Sequence, residues 1–214
     1  MAPTPRCRYN VGVQILDAQF VAGATNYAQL PAPAFAEIAF AGRSNVGKSS
    51  LLNTLLGRPL ARTSSTPGRT RLVNFFAARL PGSGGKSRRE VGLVDLPGYG
   101  YAKVARSERA AWQHMIEGYV TGRPTLRAMV VIVDVRRGAE DEERDLLEWL
   151  AALPLPSIVV GTKLDKLGKA AQKPALVALG QELGMSRSPL GFSADTGEGK
   201  SELIRWLSRA CETE

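Results

Sequence analysis

The sequence has few of the residues that commonly hold metal ions or form disulfides. It contains two cysteines, Cys7 and Cys211, near opposite ends of the chain, and a single histidine, His114. These residues do not have the spacing of zinc ligands, so no zinc site is predicted. The two cysteines favour reduced thiols over a disulfide framework. His114 lies in a helix-like stretch and is expected to have a structural or surface role.

Long hydrophobic runs are also missing. No apolar run approaches the ~20 residues that a membrane helix needs. Charged and polar residues interrupt the first stretch, MAPTPRCRYNVGVQI, which therefore does not resemble a secretory signal. We expect a cytoplasmic protein without membrane contact. With 214 residues and 44% apolar content, the chain is expected to fold as one globular domain, preceded by a segment at 1–36 that packs on the core at 37–214.

Positive charge is concentrated in the first two thirds of the chain. The net charge is +8 overall. Residues 1–137 contain 19 Lys and Arg against 7 Asp and Glu, a net charge of +12, whereas residues 138–214 have a net charge of −4. This asymmetry is compatible with a polyanionic partner, although a solvated basic surface would produce it too.

Apolar strand-like runs alternate with amphipathic helix-like stretches. The strand-like runs are EIAFAG (37–42), LVNFFAA (72–78), EVGLVDL (90–96), AMVVIVDV (128–135), SIVVGTK (157–163) and PLGFSA (189–194). Several are almost entirely apolar, as strands buried on both faces are. We predict an α/β fold with a doubly wound, mostly parallel six-stranded sheet and helices on both faces. The loop LPGSGGKSRRE (80–90) predicts a hairpin, which makes one strand antiparallel.

A phosphate-binding loop follows the first predicted strand. GRSNVGKS matches G-x-x-x-x-G-K-[ST] through Gly42, Gly47, Lys48 and Ser49, and a helix-like stretch comes directly after it. Backbone N–H groups at such a helix start cradle phosphate oxygens. Lys48 would reach the β- and γ-phosphates, and the Ser49 hydroxyl would bind magnesium.

Two further motifs lie at positions that suit a nucleotide with a γ-phosphate. VDLPG (94–98) ends the third predicted strand, where Asp95 would hold magnesium through water and the Gly98 N–H would meet the γ-phosphate. TPGRTR (66–71) precedes the second predicted strand and would bring the Thr70 hydroxyl to the metal. Each motif alone is also compatible with an ordinary turn.

TKLD (162–165) and FSA (192–194) predict that the base is guanine. The Asp165 carboxylate can accept hydrogen bonds from the N1–H and the exocyclic amine of guanine, which adenine lacks. Lys163 would lay its apolar stem along the base, and the Ala194 N–H would reach the carbonyl oxygen of guanine. Four motifs at the ends of strands therefore indicate a guanine-nucleotide site.

From about residue 20 to 208 the chain resembles the EngB (YihA/YsxC-like) family, within the TrmE-Era-EngA-EngB-Septin-like GTPases. GRSNVGKSSLLN, TSSTPGRTRLVNFF, VDLPGYGYAKV, GTKLD and FSAD carry the resemblance. It implies a P-loop G domain, a cytoplasmic GTP-binding protein, and a role in assembly of the large ribosomal subunit. Threonine at 162 replaces the asparagine of the general GTPase motif, and the resemblance implies that this is usual in the family.

The resemblance also implies a set of site residues. Magnesium would bind Ser49 and Thr70, and Lys48, Thr70 and Asn45 are the candidate catalytic residues. The nucleotide would contact Gly42, Arg43, Ser44, Asn45, Val46, Gly47, Lys48, Ser49, Gly68, Arg69, Thr70, Arg71, Leu72, Asp95, Leu96, Pro97, Gly98, Thr162, Lys163, Leu164, Asp165, Phe192, Ser193 and Ala194.

Residues next to these motifs suggest how hydrolysis and binding are controlled. Tyr99 occupies the position of the water-orienting glutamine of Ras-like enzymes, so we expect slow intrinsic hydrolysis. Asn45 is a candidate for seating a potassium ion, or else it caps the loop. We expect a monomer that binds ribosomal RNA of the large subunit or its precursor. Its contacts would come from basic and aromatic residues beside the motifs, namely Arg62, Arg69, Arg71, Tyr99, Tyr101 and Lys103. The alternative is that Tyr99 and Tyr101 pack on the domain and the arginines are merely solvated.

Three other functions fit parts of the sequence. An ATP-using enzyme would not need TKLD and FSA at adjacent strand ends. An RNA-binding assembly factor with a merely structural pocket would not need Lys48, Ser49, Thr70 and Asp95 together. An Era- or Der-like GTPase would carry a second domain, for which 214 residues are too few.

Overall fold

The computed structural model describes residues 13–25, 27–61, 72–82, 87–99 and 106–212. Seven strands form one sheet: β1 (Leu16–Ala24), β2 (Glu37–Gly42), β3 (Val73–Pro81), β4 (Arg88–Asp95), β5 (Leu126–Asp134), β6 (Ser157–Thr162) and β7 (Leu190–Gly191). Five α-helices join or follow them: α1 (Lys48–Leu56), α2 (Arg106–Gly122), α3 (Asp141–Ala151), α4 (Lys169–Glu182) and α5 (Lys200–Ala210). The predicted fold class is confirmed.

The strand order is β1-β3-β4-β2-β5-β6-β7. β3 is antiparallel to both of its neighbours, β1 and β4, whereas the other pairings are parallel. One antiparallel strand was therefore predicted correctly. The hairpin is tighter than the sequence suggested, because β3 and β4 stay paired as far as Pro81 and Arg88.

Within the described residues the sheet has seven strands instead of the predicted six. The additional strand, β1, lies at the edge and pairs only with β3. Its sequence, LDAQFVAGA, has no apolar alternation because two register shifts interrupt its pairing with β3, and six of its nine residues are exposed. An edge strand with bulges does not show the periodicity by which strands are recognised.

Two apolar cores cover the two faces of the sheet. On one face α1 and α5 pack on side chains such as Phe40 and Ile132. On the other face α2, α3 and α4 pack on side chains such as Val94 and Val131. β2 lies between β4 and β5, and all six of its residues are buried. This strand therefore fixes the position of the loop that follows it. Within the described residues, no helix is long and apolar enough to cross a membrane.

Candidate nucleotide-binding site

The loop between β2 and α1 has the backbone shape of a phosphate cradle. Gly47 takes a φ of 101° directly before the first residue of α1, and Asn45 takes a φ of 64°. A Cβ atom on Gly42 would lie 2.8 Å from the carbonyl oxygen of Ile132 on β5. Glycine is therefore required at 42 for close packing and is favoured at 47 for its left-handed backbone. The first N–H groups of α1 point out of the helix start, where they can bind an anion.

Lys48 and Asp95 form a buried ion pair. The Lys48 Nζ contacts Asp95 Oδ1, and the two residues are 7% and 2% exposed. Asn74 on β3 donates a 3.4 Å hydrogen bond to the other carboxylate oxygen of Asp95. The structure thus brings together the two predicted charges, one from the phosphate-binding loop and one from the end of β4. Ser49 follows Lys48 in the first turn of α1 and is partly buried.

The segment after Asp95 packs against the phosphate-binding loop. The Leu96 N–H donates to the Phe40 carbonyl (3.0 Å), and the Ser44 N–H donates to the Tyr99 carbonyl (3.0 Å). A Cβ atom on Gly98 would lie 3.2 Å from the backbone nitrogen of Ser44. The Trp112 indole of α2 donates a 2.7 Å hydrogen bond to the carbonyl of Pro97. Gly98 is therefore held beside the loop that is predicted to carry the phosphates.

Tyr99 is turned into the protein, which corrects the prediction that it faces an RNA partner. It is 5% exposed, and its ring centroid lies 4.6 Å from that of Trp112. Burial, followed by the nearby Glu143 carboxyl of α3, raises the pKa of Tyr99. The ring is therefore unable to stack on unpaired bases. A tyrosine that follows a glycine turn is expected to be exposed, but packing of the Tyr99 ring on Trp112 of α2 buries it.

Glu143 and Arg43 complete a polar cluster around Tyr99. Glu143 is 1% exposed, and its carboxylate accepts a 3.0 Å hydrogen bond from the Glu140 N–H at the start of α3. Burial raises the pKa of Glu143 to about 7. Arg43, the second residue of the phosphate-binding loop, pairs with the Glu140 carboxylate. The start of α3 is therefore connected to the loop through side chains.

The TKLD motif at the end of β6 is tied to the same loop. The Thr162 hydroxyl contacts the carbonyl of Val46 and lies 3.1 Å from the carbonyl of Val133. Lys163, with a φ of 61°, donates a 2.6 Å hydrogen bond to the carbonyl of Asn45. Thr162 on β6 therefore connects β5 with the phosphate-binding loop.

Asp165 is fixed by two donors. The Ser193 hydroxyl donates to Asp165 Oδ1 at 2.6 Å, and Lys166 lies 3.0 Å from Oδ2. The hydrogen bond from Ser193 is the main cause that lowers the pKa of Asp165. The carboxylate is therefore ionised at neutral pH and can accept two N–H donors.

The FSA segment lies beside TKLD. The Leu164 N–H donates to the Phe192 carbonyl at 3.2 Å, and Phe192 is fully buried. Ala194 is partly buried, and its carbonyl lies 3.4 Å from the Thr54 hydroxyl of α1. The two segments that are predicted to bind the base, TKLD and FSA, therefore lie side by side at the carboxyl ends of β6 and β7.

Asp134 at the end of β5 contacts the predicted site, although none of the sequence motifs includes it. It is 1% exposed, contacts Lys163 Nζ at 2.9 Å, and pairs with Arg136 at 2.8 Å. Burial raises its pKa, but the hydrogen bonds from Arg136 and Lys163 outweigh burial and lower the pKa to about 2. The available signal was a carboxylate that ends an apolar strand, as Asp95 does.

Part of the predicted site lies outside the described residues. Gly68, Arg69, Thr70 and Arg71 belong to that part, as do Arg62, Tyr101 and Lys103. Leu72, predicted to contact the nucleotide, is described, lies directly before β3 and is 40% exposed.

Comparisons with known proteins agree with this geometry. A family model described as a 50S ribosome-binding GTPase matches residues 37–163. A relative named EngB in Desulforapulum autotrophicum is 48% identical over 195 residues, which are 90% of this chain and 96% of that protein. The crystal structure of an EngB protein aligns with a TM-score of 0.62 and 23% identity, over 82% of this chain and 98% of that one. Era, crystallised with MgGDPNP and a fragment of 16S ribosomal RNA, aligns with a TM-score of 0.62 and 23% identity, over 84% of this chain and 58% of that one.

The fold, the loop geometry and these matches together define a P-loop GTPase, a protein that binds and hydrolyses GTP. Within this class, the chain belongs to the EngB family of GTP-binding proteins.

Proposed function

We propose that the chain is a nucleotide-controlled switch in assembly of the large ribosomal subunit, and that it hydrolyses GTP slowly on its own. The observation that supports nucleotide control best is that two separate motifs contact the phosphate-binding loop: Asp95 pairs with Lys48, and Lys163 of TKLD donates to the carbonyl of Asn45. The chain also belongs to a family whose model is described as a 50S ribosome-binding GTPase. Residues 1–137 have the net positive charge that suits an RNA-rich partner.

In this proposal, each part of the site has a separate task. The N–H groups at the start of α1 and the Lys48 ammonium bind the phosphates. The Asp165 carboxylate accepts hydrogen bonds from the N1–H and the amine of guanine, and Lys163 lies along the base. Adenine would leave that carboxylate unpaired, so ATP should bind far more weakly than GTP.

Magnesium fits the residues that are present. The Ser49 hydroxyl offers an oxygen ligand of the kind that Mg²⁺ prefers, Thr70 would add a second, and the Asp95 carboxylate would hold the ion through water. The described residues contain no group of three or more histidine, cysteine or acidic side chains that could hold a metal. A magnesium ion at Ser49 and Thr70 would take its other ligands from water and phosphate oxygens. When bound, the ion would supply positive charge opposite the phosphate oxygens.

Slow hydrolysis is supported by the position of Tyr99. The residue that follows Gly98 is buried against Trp112, so its side chain is not available to orient water. Asn45, in the left-handed region of the loop, is our candidate for seating potassium beside the phosphates. A fixed cation there would stabilise the charge of the transition state. Equal hydrolysis rates in potassium and sodium buffers at saturating GTP would refute this role.

The ribosomal partner is tested by co-sedimentation. Purified large subunits are mixed with the protein bound to GDP or to a non-hydrolysable GTP analogue. The mixtures are compared over a series of salt concentrations around physiological ionic strength. We expect tighter binding with the analogue, because the γ-phosphate can order the segments near Thr70 and Gly98. We also expect binding to weaken as salt rises. The structure of Era with ribosomal RNA supports this partner class by analogy. Binding that depends on neither nucleotide nor salt would contradict the proposal.

A further inference from the structure

Four arginines lie at the end of the protein opposite the nucleotide site. Arg58 lies two residues after the end of α1, Arg88 and Arg89 begin β4, and Arg127 is the second residue of β5. β4 and β5 are both parallel to β2, whose carboxyl end carries the phosphate-binding loop, and α1 runs back from that loop. These arginines are therefore at the amino ends of the strands. We refer to Arg58, Arg88, Arg89 and Arg127 as the arginine surface.

Arg89 and Arg127 both lie near the end of α5. Arg89 donates a hydrogen bond to the carbonyl of Cys211, at the end of α5. Burial raises the pKa of the Cys211 thiol to about 11, and the charges of Arg89 and Arg127 oppose that rise, so both arginines are near the same thiol. β4 and β5 are separated only by β2, a distance of about 10 Å.

The other two arginines meet the same end of the molecule through β1. Arg88 donates to the carbonyl of Gln14 at 2.8 Å, and Arg58 donates to the carbonyl of Ala18 at 3.3 Å. Arg88 and Arg89 are adjacent in β4 and leave opposite faces of the strand, so the four arginines border the amino end of the sheet from both sides.

The hydrogen-bond partners leave the positive charges in place. Arg58, Arg88 and Arg89 each contact a carbonyl oxygen, and Arg127 contacts the carbonyl of Pro124 at 2.7 Å. A carbonyl orients a guanidinium without neutralising its charge, and each guanidinium has five N–H donors. Of the acidic residues near these arginines, Asp17 and Glu90 pair with Arg79, a different arginine, and Glu212 lies near Cys211 and raises its pKa further. Each of the four arginine side chains is held by a backbone carbonyl, which leaves N–H donors for a further partner.

We propose that the arginine surface binds the phosphate backbone of RNA, and that it does so in both nucleotide states. Guanidinium groups bind phosphate oxygens through paired hydrogen bonds, which four fixed arginines can repeat along a strand. The surface is built from strand ends and one loop, whereas proteins that lie on anionic membranes commonly use an amphipathic helix. That the RNA is ribosomal rests on the function proposed above.

The position of the surface predicts that it acts without the nucleotide. It is separated from Gly98 and the phosphate-binding loop by the full length of the sheet. Between them stand β2, which is buried throughout, and the last five residues of β4, which are buried and include the four that pair with β2. The arginine surface would therefore supply a constant affinity for RNA, to which the segments near Gly98 add a nucleotide-dependent part.

The test compares two variants of the full chain that lose the same charge. Arg88→Gln/Arg127→Gln removes two charges from the surface, and Lys173→Gln/Arg187→Gln removes two exposed charges elsewhere. Affinity for purified large-subunit RNA is measured across a salt series with GDP and with the GTP analogue, and thermal unfolding confirms that both variants are folded. We expect the surface variant to bind on the order of tenfold more weakly in both nucleotide states. Its slope of log affinity against log salt should fall by about two. The control should bind like the unmodified chain.

The outcomes separate this proposal from the proposed function. A surface variant that binds RNA with unchanged affinity and salt slope refutes the arginine surface, even where whole subunits still bind in a nucleotide-dependent way. Arginine-dependent RNA binding supports the surface, even where whole subunits do not distinguish GDP from the analogue and the switch fails. Anionic phosphatidylserine vesicles form a third arm. Arginine-dependent binding to the vesicles but not to RNA would overturn the assignment to RNA.

Discussion

Asp134→Asn should weaken guanine-nucleotide binding although Asp134 is not expected to touch the nucleotide. Its carboxylate holds Lys163 Nζ at 2.9 Å, and Lys163 in turn holds the carbonyl of Asn45 at 2.6 Å. Without the carboxylate charge, Lys163 loses the partner that keeps its stem extended over the base site. A charge-assisted hydrogen bond of this kind contributes about 1.5–3 kcal/mol, so we expect GDP and GTP affinity to fall roughly 10-fold to 100-fold.

The same substitution should lower the free energy of unfolding. The pKa of Asp134 falls from 3.8 to about 2 in the folded protein, which corresponds to about 2 kcal/mol. Because the pKa is lowered on folding, this contribution is present above about pH 4 and is lost as the pH falls towards about 2. Asp134→Asn should therefore cost about 2 kcal/mol at pH 7 by urea unfolding. Asp145→Asn, at an exposed position on α3, is the matched control.

A double-mutant cycle separates positioning from general destabilisation. GDP affinity is measured by calorimetry for Asp134→Asn, for Lys163→Met and for the two together. If Asp134 acts through Lys163, Asp134→Asn should have little further effect on affinity once Lys163 is methionine. Losses of affinity that simply add in the double variant would refute the reasoning, because Asp134 would then support the site by another route.

Three further predictions follow from buried groups. The pKa of Glu143 is raised on folding to about 7, so the free energy of unfolding should decline by up to about 3 kcal/mol as the pH rises from about 4.5 to about 7. Glu143→Gln should remove this decline, which urea unfolding across that pH range measures. An unchanged decline in the variant would contradict the prediction. Ser193→Ala should raise the pKa of Asp165, measured by NMR titration, because the 2.6 Å hydrogen bond is lost. Lys48→Ala should abolish tight GTP binding and cost about 3 kcal/mol of stability, because Asp95 is left buried without its partner; adding Asp95→Asn should restore much of the stability but not the binding.

The parts of the fold and site that could be predicted are those that a short stretch of consecutive residues identifies by its pattern. Gly42 and Gly47 frame a short loop, and the apolar runs before and after it define β2 and α1. The alternation of buried strands with amphipathic helices predicts a parallel sheet, in which Asp95 and Asp165 both lie at the carboxyl ends of strands. Local pattern and general topology were therefore enough to bring these residues together.

The parts that could not be predicted depend on contacts between distant residues. Tyr99 is buried because Trp112 and Glu143, on two different helices, surround it. Asp134 meets Lys163 across 29 positions in the sequence, and no local pattern marks that pair. β1 escaped prediction for a different reason, because its register shifts and exposed edge remove the alternation of a regular strand.

The most direct test of the central claim is nucleotide competition with the unmodified chain and with Asp165→Asn. Displacement of a fluorescent guanine nucleotide is measured with GTP, ATP and xanthosine triphosphate in the presence of magnesium. The Asp165 carboxylate, held by Ser193 and Lys166, predicts a strong preference of the unmodified chain for GTP. In Asp165→Asn the preference should move to the xanthine nucleotide, whose added carbonyl accepts a hydrogen bond from an amide. Equal competition by ATP and GTP in the unmodified chain would contradict the account.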